Sequence, residues 1–186
     1  MNIFLSLPKI CMLVVISLVG CSYSTSPRES ARKIEIESRE ALQRLVKVSP
    51  AARALAERAR GVLVFPSITK GGLIVGGQYG EGALLEEGLL TGYYNSVAVS
   101  YGLQAGVQQF GYALFFMSDS DLEYLIKSDG WEVGVGPSIV VLDQGAAASL
   151  TSTTARKGVY AFFFEQKGLM AGLGLQGTKI TRLQRP

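Results

Sequence analysis

Two short patterns in this chain hold residue types that do chemistry in enzymes. Ser67-Ile68-Thr69-Lys70 has the spacing at which a helix sets a lysine beside a serine to take its proton, as in serine acyl-enzymes that react with penicillins. Ser128-Asp129 resembles a fragment of their second motif, but Gly130 stands where asparagine is needed and no Lys-Thr-Gly follows. Pro66 before the serine and Gly71-Gly72 after the lysine argue a turn rather than the start of a helix. Gly172-Leu-Gly174-Leu-Gln-Gly177 has the letters of a dinucleotide-binding loop, which works only where it opens a helix. Here nine residues remain, and Lys179 to Leu183 reads as strand. Read on to Lys179, the segment mimics a phosphate loop, with Thr178-Lys179 in reversed order. Asp119, Asp121, Glu123 and Asp129 lack the spacing and mid-loop glycine of an EF-hand, and a capped, solvated helix accounts for them. The chain has no histidine, which removes Ser-His-Asp and Cys-His catalysis and histidine-based zinc sites. The residues therefore predict a non-enzyme without cofactor or metal.

The cysteine that does carry chemistry is Cys21. Lys9 supplies a positive start, and Ile10 to Gly20 is an uncharged, mostly apolar run of signal-peptide length, too short for a membrane span of roughly 20 residues. The run ends in Leu18-Val19-Gly20-Cys21, which resembles the lipobox of bacterial lipoproteins. That resemblance implies removal of residues 1–20 as a signal peptide, lipid transfer to the Cys21 thiol and acylation, typically by palmitate, of the new amino group. One acyl chain holds a protein only marginally; three make release negligible. Ser22 after the cysteine implies sorting to the outer membrane, facing the periplasm of the bacterial cell envelope. Cys11 leaves with the signal, so the mature chain has no disulfide although export permits one.

The elements follow from periodicity. Residues 21–30 hold the lipidated cysteine and a Ser/Thr/Pro-rich tether, and residues 31–186 one domain. Ile34, Ser38, Ala41, Leu42 and Leu45 recur at three and four residues, an apolar helical stripe. Ser49-Pro50 restarts a helix as N-cap and N1, and Gly61 is expected to end it at C′. The period then becomes two. Strands are expected at Val62 to Phe65 (stopped by Pro66), Leu73 to Tyr79, Val97 to Val107, Tyr112 to Met117, Trp131 to Val141, Val159 to Phe164, Leu169 to Leu175 and Thr178 to Leu183. Ser118 or Asp119 is expected to cap a helix to Lys127, and a helical turn is plausible at Gly145 to Leu150. Glycines at alternate strand positions let backbones approach and sheets coil. The fold class expected is α+β: a strongly curved antiparallel β-sheet or small barrel-like sheet with N-terminal helices packed on it. Glycine-rich faces make a poor lipid-facing belt, which argues against a membrane barrel.

Charge is unevenly spread. Arg28 to Arg60 carries nine basic and five acidic residues, Gly61 to Ala155 two and nine, and Arg156 to Pro186 six and one. Two basic ends suit an anionic lipid surface, and the small net charge of +3 does not suit nucleic acid. Tyr93, Tyr94, Tyr101, Tyr112, Phe115, Phe116 and Trp131 line either a lipid pocket or, more simply, the core.

Six ordered blocks complete the reading: Gly61-Val-Leu-Val-Phe-Pro-Ser-Ile-Thr-Lys-Gly-Gly72, Tyr79-Gly-Glu-Gly82, Tyr101-Gly-Leu-Gln-Ala-Gly106, Phe110-Gly-Tyr-Ala-Leu-Phe-Phe116, Trp131-Glu-Val-Gly-Val-Gly-Pro137 and Gly168-Leu-Met-Ala-Gly-Leu-Gly174. Together they resemble the SYLF domain family from about Arg32 to Leu183. The resemblance implies a lipid-binding module without catalysis, since eukaryotic members bind phosphoinositide membranes and some bundle actin. It implies membrane contact through an N-terminal amphipathic helix and basic residues, here Arg53, Arg58, Arg60 and Lys70. Exported bacterial proteins meet neither phosphoinositides nor actin, so membrane phospholipid is the partner expected. The alternative is an envelope structural or protein-interaction lipoprotein without specific lipid binding.

Overall fold

The computed structural model describes residues 26–72, 75–101, 106–142, 158–168, 175 and 177–185. The expected strand at Leu169 to Leu175 and the turn at Gly145 to Leu150 lie outside them, Leu175 excepted. Helix α1 (Pro27–Val48) starts on Ser26, whose hydroxyl accepts from the Glu29 amide, and buries Ala31, Ile34, Ser38, Ala41 and Leu45, the predicted stripe extended by one turn. Helix α2 (Pro50–Ala56) starts on Ser49, whose hydroxyl accepts from the Ala52 amide, as Ser49-Pro50 predicts. It ends five residues before Gly61, which instead opens strand β1 (Gly61–Gly72).

Pro66 does not stop β1. The register shifts between Val64 and Ser67 on one side and between Phe65 and Ile68 on the other, so the proline sits in a bulge, where no ladder hydrogen bond is asked of it. Strands β2 (Val75–Glu86), β3 (Leu89–Tyr101) and β4 (Gly106–Phe116) follow. The alternation from Val97 to Val107 is therefore not one strand. It joins the end of β3 to the start of β4, which stand on opposite sides of the β1–β2 pair. Helix α3 (Asp119–Lys127) is capped by the Ser118 hydroxyl, as expected.

The run from Trp131 to Val141 also divides. Strand β5 (Trp131–Glu132) and strand β6 (Ile139–Leu142) are separated by Gly134 and Gly136 at φ 109° and 93°, a left-handed backbone that only glycine adopts without strain. Strands β7 (Val159–Gly168) and β8 (Lys179–Leu183) complete the sheet, in the order β5-β8-β3-β2-β1-β4-β7-β6. Pairing is antiparallel except between β6 and β7, which run parallel.

The sheet is α+β in setting and curls into a half-barrel. Three cross-sheet contacts require the curl. The Tyr112 hydroxyl on β4 donates to Ser96 Oγ on β3 at 2.8 Å, across the two intervening strands. Gln78 on β2 donates to Thr178 Oγ1 beside β8 at 3.1 Å. Trp131 on β5 packs on Phe116 of β4. The inner face holds Leu63, Phe65, Phe110, Tyr112, Leu114 and Phe116 with Leu122 and Leu125 of α3. The outer face, through Val62, Val64, Ala113, Phe115 and Phe162, packs under Ala41, Leu45, Ala52 and Leu55 of the N-terminal helices. β5 and β6 end the sheet order, so the described strands form an open curl, not the closed ring that a membrane barrel needs. No described helix is long and apolar enough to cross a membrane.

Candidate lipid-binding groove

A concavity among the described residues lies where the α1–α2 elbow overhangs β7 and β6. Ser49 is extended, at φ −115° and ψ 106°, so α2 turns away from α1 and leaves the sheet edge uncovered beneath the bend. The groove encloses about 980 Å³ between Lys47, Val48, Ala51 and Ala54 on the helical side and Leu142, Phe162 and Phe164 on the sheet side, at the upper end of the roughly 300–1,000 Å³ of small-molecule sites. Its floor is apolar: Leu45, Leu142 and Phe162 are buried, and Val48 on the wall is 77% exposed. Phe115 braces Phe162 from below, edge to face, with ring centroids 5.6 Å apart.

Cations mark one rim. Arg44 Nε lies 2.6 Å from Glu165 Oε1, and this bond, more than the charges around it, raises the guanidinium pKa above its ordinary value. Lys47 stands in the last turn of α1, where the helix dipole favours positive charge. The apolar floor thus meets a rim that carries Arg44, its partner Glu165, and Lys47.

The predicted basic residues take varied places. Arg53 turns back on the elbow, donating to the carbonyls of Val46 and Lys47 at 3.0 and 3.3 Å, and so ties the last turn of α1 to α2. Arg60 pairs with Asp119 at the start of α3, 3.4 Å away, and Arg58 lies exposed in the turn between them. Arg53 therefore contacts the elbow, whereas Arg58 and Arg60 follow the other end of α2. Lys70 does not join them. It lies on the inner face of β1 between Gln78 and Gln108, nine residues and about 30 Å of strand from Gly61. Cys21 lies outside the described residues.

The enzyme-like patterns resolve on the same strand. Ser67 is exposed and Lys70 follows three residues on along β1. In a strand that spacing puts them on opposite faces, so the lysine cannot serve the serine. Asp119 is held by Arg60 and Glu123 by Lys127 at 2.8 Å; the Lys127 hydrogen bond lowers the Glu123 pKa. Asp121 accepts from the Ser118 hydroxyl. Among the aromatics, Tyr94, Tyr112, Phe116 and Trp131 fill the inner core and Phe115 the outer one. Burial drives the Tyr112 phenol well above the ordinary tyrosine range.

Sequence reasoning missed Arg44, Lys47 and the Phe162–Phe164 floor. One signal was present: Phe162-Phe163-Phe164 puts consecutive aromatics on both faces of one strand, more than a one-sided core uses.

Residues 97–185 match the family model described as Ysc84, Las17-binding protein actin regulator. This stretch holds the sheet side of the groove, Leu142 and Phe162 to Glu165, while the helical side precedes it. No curated protein matches the chain. The matched stretch contains or overlaps four of the six blocks that resemble the SYLF family, and so residues 97–185 match the Ysc84 (SYLF) domain family that those blocks point to.

Proposed function

We propose that this protein is a lipid-anchored module of the bacterial envelope, held by acyl chains on Cys21 at the outer membrane and facing the periplasm, whose domain binds phospholipid without catalysing a reaction. The family is consistent with lipid or actin-related binding, and a periplasmic placement leaves lipid as the ligand at hand. The observation that carries the reading is the groove: an apolar floor of Leu45, Leu142 and Phe162 takes an acyl chain while Lys47 and Arg44 meet an anionic headgroup. Arg53 at the elbow and Arg58 and Arg60 after α2 add positive charge, and each cation near an anionic surface contributes about 1 kcal/mol. Once Cys21 is tethered, weak contacts act at high effective concentration.

The test is flotation of the unlipidated chain, Ser22 to Pro186, with vesicles of phosphatidylglycerol and phosphatidylcholine. Binding that grows with the anionic fraction and weakens with salt is expected. Absence of co-flotation with any anionic lipid at low salt overturns the lipid-binding reading. Intact mass of the chain purified from bacterial membranes tests the anchor: a product that begins at Cys21 and carries acyl mass is expected, and any other start overturns it.

A further inference from the structure

The outer face of the sheet is only partly covered. Helix α1 crosses it, with Ser38 donating to the Val64 carbonyl on β1, Arg44 reaching Glu165 on β7, and Ser30 tied through Arg185 to Glu81 on β2. Past Glu81 no described helix covers the face. β2 presents Val75 and Tyr79, β3 presents Val97 and Val99, and β4 presents Val107, all between 38% and 65% exposed. They are neighbours in register: Tyr79 faces Val97, Gly77 faces Val99, and Gly71 stands between Gly77 and Val107. No charged residue occurs from Gly71 to Gly80 or from Gly88 to Ser118. A contiguous apolar surface of this kind on a folded chain marks an interaction site.

The chain's own connectivity names the occupant. Arg185 donates to Ser30 Oγ at 2.9 Å and to Glu81 Oε1 at 2.6 Å, and the Tyr79 hydroxyl donates to the same Glu81 oxygen at 2.7 Å. The first turn of α1, where the tether enters the fold, therefore borders this face. Four residues lie between Cys21 and Ser26, so the two are at most about 18 Å apart along extended chain. The part of β2 from Glu81 to Val75 runs roughly 20 Å. We propose that this uncharged outer face of β3-β2-β1-β4 lies against the bilayer that holds the acyl chains of Cys21, with the strand ends leading. The inference rests on the lipid-anchor reading above. Exposed valines enter the boundary between headgroups and acyl chains, Lys179, the register partner of Val97 on β8, reaches the anionic headgroups at the border of the face, and Tyr79 sits at the interface with its apolar ring and polar tip.

A single probe tests it on the mature lipidated chain. With residues 1–20 removed and Cys21 acylated, Val99→Cys adds the sole free thiol, to be labelled with nitrobenzoxadiazole and reconstituted into vesicles of phosphatidylethanolamine and phosphatidylglycerol. Leu89→Cys, exposed at the other end of β3, is the control. The probe at position 99 is expected to gain at least twofold in emission, shift to the blue and be quenched by headgroup nitroxides, while the probe at 89 stays aqueous. Acylated Cys21 with both probes aqueous overturns the docking face and leaves the anchor standing. An unacylated product overturns the anchor and, with it, this inference. A signal at 99 that rises with protein density and ignores the nitroxides assigns the face to a second copy of the chain and also overturns the inference.

Discussion

The Trp131 indole packs on the Phe116 ring with centroids 5.9 Å apart, although β5 and β4 have four strands between them in the sheet. A flat sheet would hold these rings roughly 24 Å apart, at about 4.8 Å per strand. The contact spans the inside of the open curl and joins the inner core that Leu122 and Leu125 of α3 also enter.

Trp131→Ala is expected to cost about 3–5 kcal/mol, because the side chain is 1% exposed and the inner core cannot collapse onto the gap. Urea unfolding followed by far-ultraviolet circular dichroism measures this. Trp131 is the chain's single tryptophan, so wild-type emission should shift to the red in the same transition.

Gly82 and Gly88 separate two uses of glycine. A Cβ at Gly82 would stand 2.2 Å from the Val64 carbonyl oxygen on the neighbouring strand, and backbone cannot yield there. Gly82→Ala should cost about 3 kcal/mol. At Gly88 a Cβ meets nothing within 4 Å, but φ is +78°, so Gly88→Ala should cost only about 1 kcal/mol. Melting temperatures of the two variants would rank them.

Lys47 and Ala54 test the groove. Lys47→Gln should weaken binding to phosphatidylglycerol vesicles about fivefold, the loss of about 1 kcal/mol, and flatten the salt dependence. Ala54→Trp places a ring in the groove from an exposed position and should lower lipid uptake without lowering the melting temperature. Equal flotation of both variants and wild type would remove the groove from the lipid site.

Alkaline pH should expose the Tyr112–Ser96 bond. Burial raises the Tyr112 pKa above 10.0 in the folded chain, and desolvation pushes Tyr79 up to about 12. The folded state then holds protons that the unfolded state releases. The contribution is intact below pH 10 and is lost as pH rises toward the folded pKa values, by up to about 1.4 kcal/mol per pH unit for buried Tyr112 and by much less for half-exposed Tyr79, whose charge solvent screens. Tyr112→Phe should be less stable than wild type by about 1 kcal/mol at pH 7 and should fall less steeply between pH 10 and 12. Parallel pH profiles would contradict this.

Local physics was legible wherever one residue decides one feature. Ser49 and Pro50 start α2, Ser118 caps α3, and the spacing of Ile34, Ser38, Ala41 and Leu45 sets the buried side of α1. Alternation found strand character along the end of β3 and the start of β4, and unbroken apolar runs found it in the rest of β4 and in β7. It could not find strand ends, because period two continues unbroken where a chain leaves one strand and enters another. Val97 to Val107 and Trp131 to Val141 were each read as single strands for that reason. Pro66 misled because its cost in a ladder disappears at a bulge, which only the pairing of β1 with β2 and β4 reveals.

The sequence alone determined the α+β class, the likeness to the SYLF family and the expectation of a lipid on Cys21, since these rest on residue types at short, ordered spacings. Tertiary structure decided the rest. It set Ser67 and Lys70 on opposite faces, separated Lys70 from Arg53, Arg58 and Arg60, opened the groove under the α1–α2 elbow, and left one end of the outer face without a described helix over it. Each depends on strand register and on how far one helix reaches across a curled sheet, and those are set by packing between segments far apart in the chain.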